Sequence, residues 1–113
     1  MHTLATTEDG RVAWVALTRD DFVALGCAVT DAEDIVNLPR RLRGAEVALF
    51  FCELPDSTVT KVGFRTVPPY DAATLCRKLG GGGHARAAGC SLDVPLAEAR
   101  ATVLEAIHRE WFA

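Results

Sequence analysis

The sequence predicts a single α/β domain over residues 1–113, a small mixed β-sheet with helices packed on it. Three observations carry this. Glu46 to Glu53 (EVALFFCE) is almost continuously apolar, as a strand covered on both faces must be. Thr58 to Val67 follows it across a Pro55-Asp56-Ser57 turn, so the two runs read as a hairpin. Near the C-terminus, Leu96, Ala99, Val103, Ile107 and Trp111 recur at three- and four-residue spacing, the stripe of a helix that lies on a core.

The remaining elements follow from local signals. After the Asp9-Gly10 turn, Arg11 to Leu17 (RVAWVAL) is rich in strand formers. Thr18 offers an N-cap for a helix over about 19–25, closed by Gly26. A second helix begins near Thr30-Asp31 and carries Ile35, Val36 and Leu38. Pro39 interrupts it, and Arg40 to Arg43 add a turn before Gly44. Pro68-Pro69-Tyr70-Asp71 stops the hairpin strand and opens a helix, with Asp71 as cap and Leu75 facing inward. That helix ends at Gly80, a Gly-rich loop follows, and Cys90 to Asp93 is a short strand candidate. The last helix starts near Asp93 to Pro95.

Composition narrows the function. The chain is 50% hydrophobic and 24% charged, with a formal net charge of −3. That balance disfavours broad charge-driven binding of nucleic acid, so any phosphate contact must come from a few placed residues. No segment is long and apolar enough to span a bilayer, and the first ten residues lack the basic start and apolar core of a signal peptide. Cys27, Cys52, Cys76 and Cys90 are widely spaced among apolar residues without a CxxC pair. They read as reduced, buried thiols of a cytoplasmic protein.

Function is most legible in the run Leu79-Gly80-Gly81-Gly82-Gly83-His84-Ala85-Arg86-Ala87-Ala88-Gly89. Backbone without side chains lets a ligand come close, successive N–H groups can cradle an anion, and His84 and Arg86 at the rim suit a phosphate. The run matches neither the P-loop nor the dinucleotide-binding GxGxxG pattern. On the hairpin strand, alternation puts Lys61, Gly63 and Arg65 on one face and Val62 and Phe64 on the other. Arg65 offers a planar fork for phosphate, and Lys61 a point charge. The residues alone leave bland alternatives open: a solvated strand face for Lys61 and Arg65, and a linker or helix C-cap for the glycines. His84 itself reads as a phosphate donor, a general acid or base, a metal ligand, or a histidine that only holds the loop. Cys76, His84 and Cys90 fit no usual zinc spacing. His2 and His108 have no supporting neighbours, and Glu33-Asp34 diverge around a helix. No Asp/His cluster for catalytic Mn²⁺ or Mg²⁺ and no nucleophile arrangement stands out, so the chain reads as a binding module.

Gly81-Gly82-Gly83-His84 with Ala87-Ala88-Gly89 resembles the GGGHxxAAG signature of the DHHA1 domain, the C-terminal substrate-binding domain of DHH-family phosphoesterases. Gly44 to Phe50 looks like the central strand of that domain. Lys61-Val62-Gly63-Phe64-Arg65-Thr66 looks like its VxxSxRS strand, with Arg65 at the arginine. The likeness covers about residue 31 to the C-terminus and is greatest to the oligoribonuclease group. It implies that Gly81, Gly82, Gly83 and His84 hold a substrate phosphate or terminal nucleotide and that Arg65 pairs with a phosphate. Lys61 lines the same strand face, and Arg86 falls at a variable position of the signature. Gly63 stands where the family often has serine, and Thr66 replaces a second serine. The resemblance further implies short RNA or DNA oligonucleotides or mononucleotides as partners. A DHH catalytic domain in cis or trans would carry the Mn²⁺ ions, leaving no cofactor in this chain. Competing readings are a stand-alone nucleotide-binding or regulatory module, an accessory domain like that of alanyl-tRNA synthetase, and a homodimerisation domain whose glycine loop packs against a partner, with an exposed Trp111-Phe112 in support.

Overall fold

The computed structural model describes residues 3–7, 9–18, 45–54 and 57–112. Its sheet has six strands in the order β1-β2-β3-β4-β6-β5, where β1 is Thr3–Thr6, β2 Val12–Leu17, β3 Val47–Glu53, β4 Thr60–Thr66, β5 Gly82–Gly83 and β6 Ala87–Leu92. Two helices pack on it, α1 (Ala72–Lys78) and α2 (Leu96–Ile107), and a π turn over His108–Phe112 extends α2. Strands β2 and β3 run parallel while every other pair is antiparallel, so the sheet is mixed as the sequence predicts. The helices expected over 19–25 and 30–43, together with Cys27, Glu33, Asp34 and His2, lie outside the described residues.

The apolar run forms the centre of the sheet. All but the last residue of β3 are buried, because both faces of this strand are covered. On the helix side, Val47, Leu49 and Phe51 of β3 meet Val62 and Phe64 of β4, Ala88 and Cys90 of β6, and Leu75, Cys76, Val103 and Ile107 from the helices. Phe51 and Phe64 are both 0% exposed, each adding about 1.5–3 kcal/mol of burial relative to solvent. Among the described residues the buried polar ones, Thr60 and Thr66, sit at the ends of β4 and are satisfied. The Thr60 hydroxyl donates to the Val94 carbonyl at 2.8 Å.

Three expectations change. Strand β1 has no counterpart in the sequence reading: four residues at a sheet edge carry too short a pattern to announce a strand. The Gly-rich loop is not a loop throughout, because Gly82 and Gly83 pair with Gly89 and Ala88, drawing β6 back to Ala87. Trp111 and Phe112 are not exposed. Both are half-buried against Tyr70, with ring centroids 5.4 and 5.3 Å from it, and the Arg11 guanidinium stacks 4.1 Å above the Phe112 ring. The support that an exposed Trp111-Phe112 would lend to a dimer is thereby removed.

Asp71 caps α1 as its position predicts, its carboxylate accepting from the Thr74 N–H at 3.1 Å. Burial of Ala72, Ala73, Leu75 and Cys76 then aims the helix C-terminus at the glycine run.

Candidate functional site: a bare sheet face with a histidine tip

Strand register builds the site. Phe50 on β3 pairs with Gly63 on β4, Gly63 with Gly89 on β6, and Gly89 with Gly82 on β5. Directly paired residues share a face, so three adjacent strands present a row of positions without side chains, closed at one end by Phe50. With strands about 4.8 Å apart, this floor is about 10 Å wide. It lies on the face opposite α1 and α2, since Val62 and Phe64, the alternate residues of β4, are in the helix-side core.

The neighbouring rows carry the charge. One row holds Cys52, Lys61 and Ser91; the other holds Ala48, Arg65 and Ala87. Ala87 exchanges both backbone hydrogen bonds with His84, at 2.8 and 3.1 Å, so His84 continues the Arg65 row at the tip of the β5–β6 hairpin. Lys61 and Arg65 are about 13 Å apart along the strand and bracket the glycine floor. Lys61 is exposed and Arg65 half-buried, with one Arg65 Nη1 bond to the Phe64 carbonyl at 2.9 Å. Among the described residues neither cation is paired with a carboxylate, and the exposed His84 side chain has no hydrogen-bond partner. Arg65, Lys61 and His84 therefore flank the floor on one face of the sheet.

The glycines are not equivalent. A Cβ at Gly81 would fall 2.1 Å from the Gly89 carbonyl oxygen and 2.7 Å from the Cys90 Cα, so the packing of α1 onto β6 itself demands glycine there. Gly83 has φ +143°, and its Cβ would sit 2.6 Å from the Ala88 Cα. Gly82 has neither constraint: nothing lies within 4 Å of where its Cβ would be. Of the three, Gly82 alone leaves its space to something other than the fold.

Arg86 occupies a different environment from Arg65. It turns to the Tyr70 carbonyl, to which Nη2 donates at 2.8 Å, while Nη1 is buried without an acceptor. Tyr70 in turn belongs to a cluster at the same end of the sheet. Arg11 Nε donates to Glu46 at 2.6 Å and Arg11 Nη2 to the Tyr70 hydroxyl at 2.6 Å; Glu46 holds the Arg11 pKa above its ordinary value. Sequence reading left out Tyr70, Glu46 and Arg11, whose partners lie 24 to 59 positions away.

Cys52, Cys76 and Cys90 are buried, as expected. The neighbouring Cys90 thiol, together with burial, pushes the Cys76 pKa up. His84 is at the exposed tip, and no group of three or more His, Cys, Asp or Glu is placed to hold a metal ion among the described residues. His108 is exposed on the π turn. It lines a separate cavity of about 410 Å³ with Arg11, Leu104 and Phe112, away from the glycine floor. None of the described helices is long and apolar enough to cross a membrane.

Comparison with known proteins agrees with this architecture. The DHHA1 domain model matches residues 7–111. Over 84 residues, 74% of this chain, the sequence is 37% identical to the bifunctional oligoribonuclease and PAP phosphatase NrnA of Thermus thermophilus. The chain spans about a quarter of that relative, since the match covers 25% of its length. Among solved structures, an exopolyphosphatase-related protein from Bacteroides fragilis superposes with a TM-score of 0.85 at 23% identity, covering 95% of this chain and 31% of that one. The pGpG-specific phosphodiesterase PggH from Vibrio cholerae superposes with a TM-score of 0.58 at 13% identity, covering 94% and 34%. A six-stranded mixed sheet with two helices on one face, a match from residue 7 to residue 111 and this curated relative together place the chain in the DHHA1 domain family of the DHH phosphoesterases.

Proposed function

We propose that this chain is the substrate-binding domain of a DHH-type phosphodiesterase, holding the phosphate of a nucleotide or short oligonucleotide for hydrolysis by a DHH catalytic domain in cis or in trans. One observation carries the reading: the Gly63-Gly89-Gly82 floor lies between Arg65 and Lys61, two cations without a carboxylate partner among the described residues. A bare floor admits the ligand backbone to within van der Waals distance of the strands. Arg65 presents its fork to a phosphate, Lys61 a charge further along the strand, and His84 a ring N–H from the tip. The relatives named for their activities act on related chemistry, one as an oligoribonuclease and PAP phosphatase, the other on pGpG.

The Mn²⁺ of such an enzyme does not fit the described residues, which gather no metal-holding group, and no bond-breaking step is assigned to them. Their part is to bind and orient. Fixing a phosphodiester against a catalytic group removes much of the entropic barrier to its reaction.

Isothermal calorimetry with AMP and with a 5′-phosphorylated dinucleotide tests the proposal. Arg65→Ala and His84→Ala each remove a hydrogen bond to a charged group, about 1.5–3 kcal/mol, or roughly ten- to hundredfold in Kd. Absence of binding by the wild-type protein, or affinity unchanged in both variants, overturns it. A binding module without catalysis separates from the enzyme reading by Mn²⁺-dependent turnover of a model phosphodiester once the DHH domain is supplied.

A further inference from the structure

We infer that Arg86 and Thr66 are positioning residues, which set His84 over the glycine floor from behind the sheet; the inference rests on the phosphate-site reading above. The tip that carries His84 has little of its own to hold it. Strand β5 is two glycines long, and the turn beyond it is only Ala85 and Arg86. Glycine gives up the most backbone entropy on ordering, and a hairpin this short does not persist unaided.

Its order comes from five contacts behind the turn. The Ala85 carbonyl accepts from the Ala72 N–H at the start of α1 (2.9 Å) and is within 2.9 Å of the Thr66 hydroxyl. The Arg86 carbonyl accepts from the Thr66 N–H at 3.0 Å. Thr66 Oγ1 also lies 2.8 Å from the Tyr70 carbonyl, and Arg86 Nη2 donates to that same carbonyl at 2.8 Å. A hydroxyl has a single proton and cannot donate to Ala85 and Tyr70 at once. The guanidinium supplies the Tyr70 carbonyl with a donor of its own, which leaves the Thr66 proton available to the Ala85 carbonyl of the tip. Thr66 is 1% exposed, so its hydroxyl is shielded from bulk solvent. Arg86 and Thr66 thus form one device that ties the tip to α1 and β4. Arg86 works through His84, two residues before it, while Arg65 faces the ligand directly.

The competing role for Arg86 is direct contact, its unpartnered Nη1 reaching the phosphate. The experiment is a double-mutant cycle of AMP binding by calorimetry in the full chain, with Arg86→Met, Thr66→Val, their combination and Arg86→Lys. Positioning requires that each single variant weaken AMP binding three- to tenfold and that the double variant be no weaker than the worse single one, since the two residues serve one device. It also requires that Arg86→Lys, which keeps a donor for Tyr70, recover affinity to within about twofold. The salt dependence of binding should stay as in the wild type, and the His84 ring resonances should move in the unliganded variants. Should Arg86→Met and Thr66→Val fail to fold, Arg86→Lys and Thr66→Ser, which keep both donors, must retain wild-type affinity and His84 resonances. Direct contact gives additive losses, a shallower salt dependence and unmoved His84 resonances, and any of these overturns the inference. Arg65→Ala and His84→Ala run alongside. If they leave AMP binding intact, the phosphate site is wrong; if they weaken it while Arg86→Met and Thr66→Val do not, only the positioning role fails.

Discussion

Replacing Gly82 by alanine separates ligand space from fold space within a single run of glycines. An alanine Cβ at Gly82 meets nothing within 4 Å, and the backbone there is outside the positive-φ region. The folded state therefore accepts the methyl without strain, while the unfolded chain loses freedom, a gain of about 0.4–1 kcal/mol. With an unfolding entropy of about 2.1 cal/mol/K per residue, the melting temperature should rise by roughly 2–4 °C. Binding should move the other way. The methyl stands on the floor that the phosphate backbone must approach, and a ligand pushed back by about 1.5 Å loses a charge-assisted hydrogen bond, about 1.5–3 kcal/mol. Affinity for AMP should fall ten- to hundredfold. Gly81→Ala is the contrast, since its Cβ would lie 2.1 Å from the Gly89 carbonyl oxygen and β5 must part from β6. It should lose stability before any ligand is added. Differential scanning calorimetry and isothermal titration on the two variants decide the matter. A Gly82→Ala protein that melts like Gly81→Ala, or one that binds AMP as the wild type does, refutes the assignment of the floor.

Two further outcomes test the frame around the site. Phe64 is wholly buried in the helix-side core, so Phe64→Ala should cost about 3–5 kcal/mol in urea unfolding, a large part of the stability of a domain this size. Glu110 is held below its ordinary pKa by Lys78, 2.9 Å away at the end of α1, with a smaller effect of Arg109. Its contribution is present above the usual glutamate range and is lost as pH falls through the depressed value. Glu110→Gln should therefore lower stability at pH 7, and the gap to the wild type should close as pH falls from the ordinary glutamate range through the depressed value in pH-dependent melts.

Local patterns in the chain carried more of the fold than of the site. The apolar run 46–53 needs burial on both faces and forms the central strand, and alternation at 61–65 sorts Lys61 and Arg65 from Val62 and Phe64, because both signals are complete within a few residues. Asp71 and the stripe from Ala99 to Ile107 were readable for the same reason. The Gly-rich segment was misread as a loop because glycine has no side chain to show a period; only pairing with Ala88 and Gly89 makes Gly82 and Gly83 a strand.

The amino-acid order alone determined which residue types were on hand: a glycine run, a histidine beside it, an arginine two positions from a glycine on a strand. These are short-range facts, set by side-chain chemistry and by the two-residue repeat of a strand. Register was decided in three dimensions. Hydrogen bonding between β4, β6 and β5 brings Gly63, Gly89 and Gly82 into one row, although 26 positions separate the first two, and sets His84 in the row of Arg65. The same folding sends Arg86 to the Tyr70 carbonyl. A slip of one residue in any of these pairs would turn the floor to the helices, and no local pattern in a glycine strand resists that slip; the packing of Phe51, Phe64 and Cys90 does.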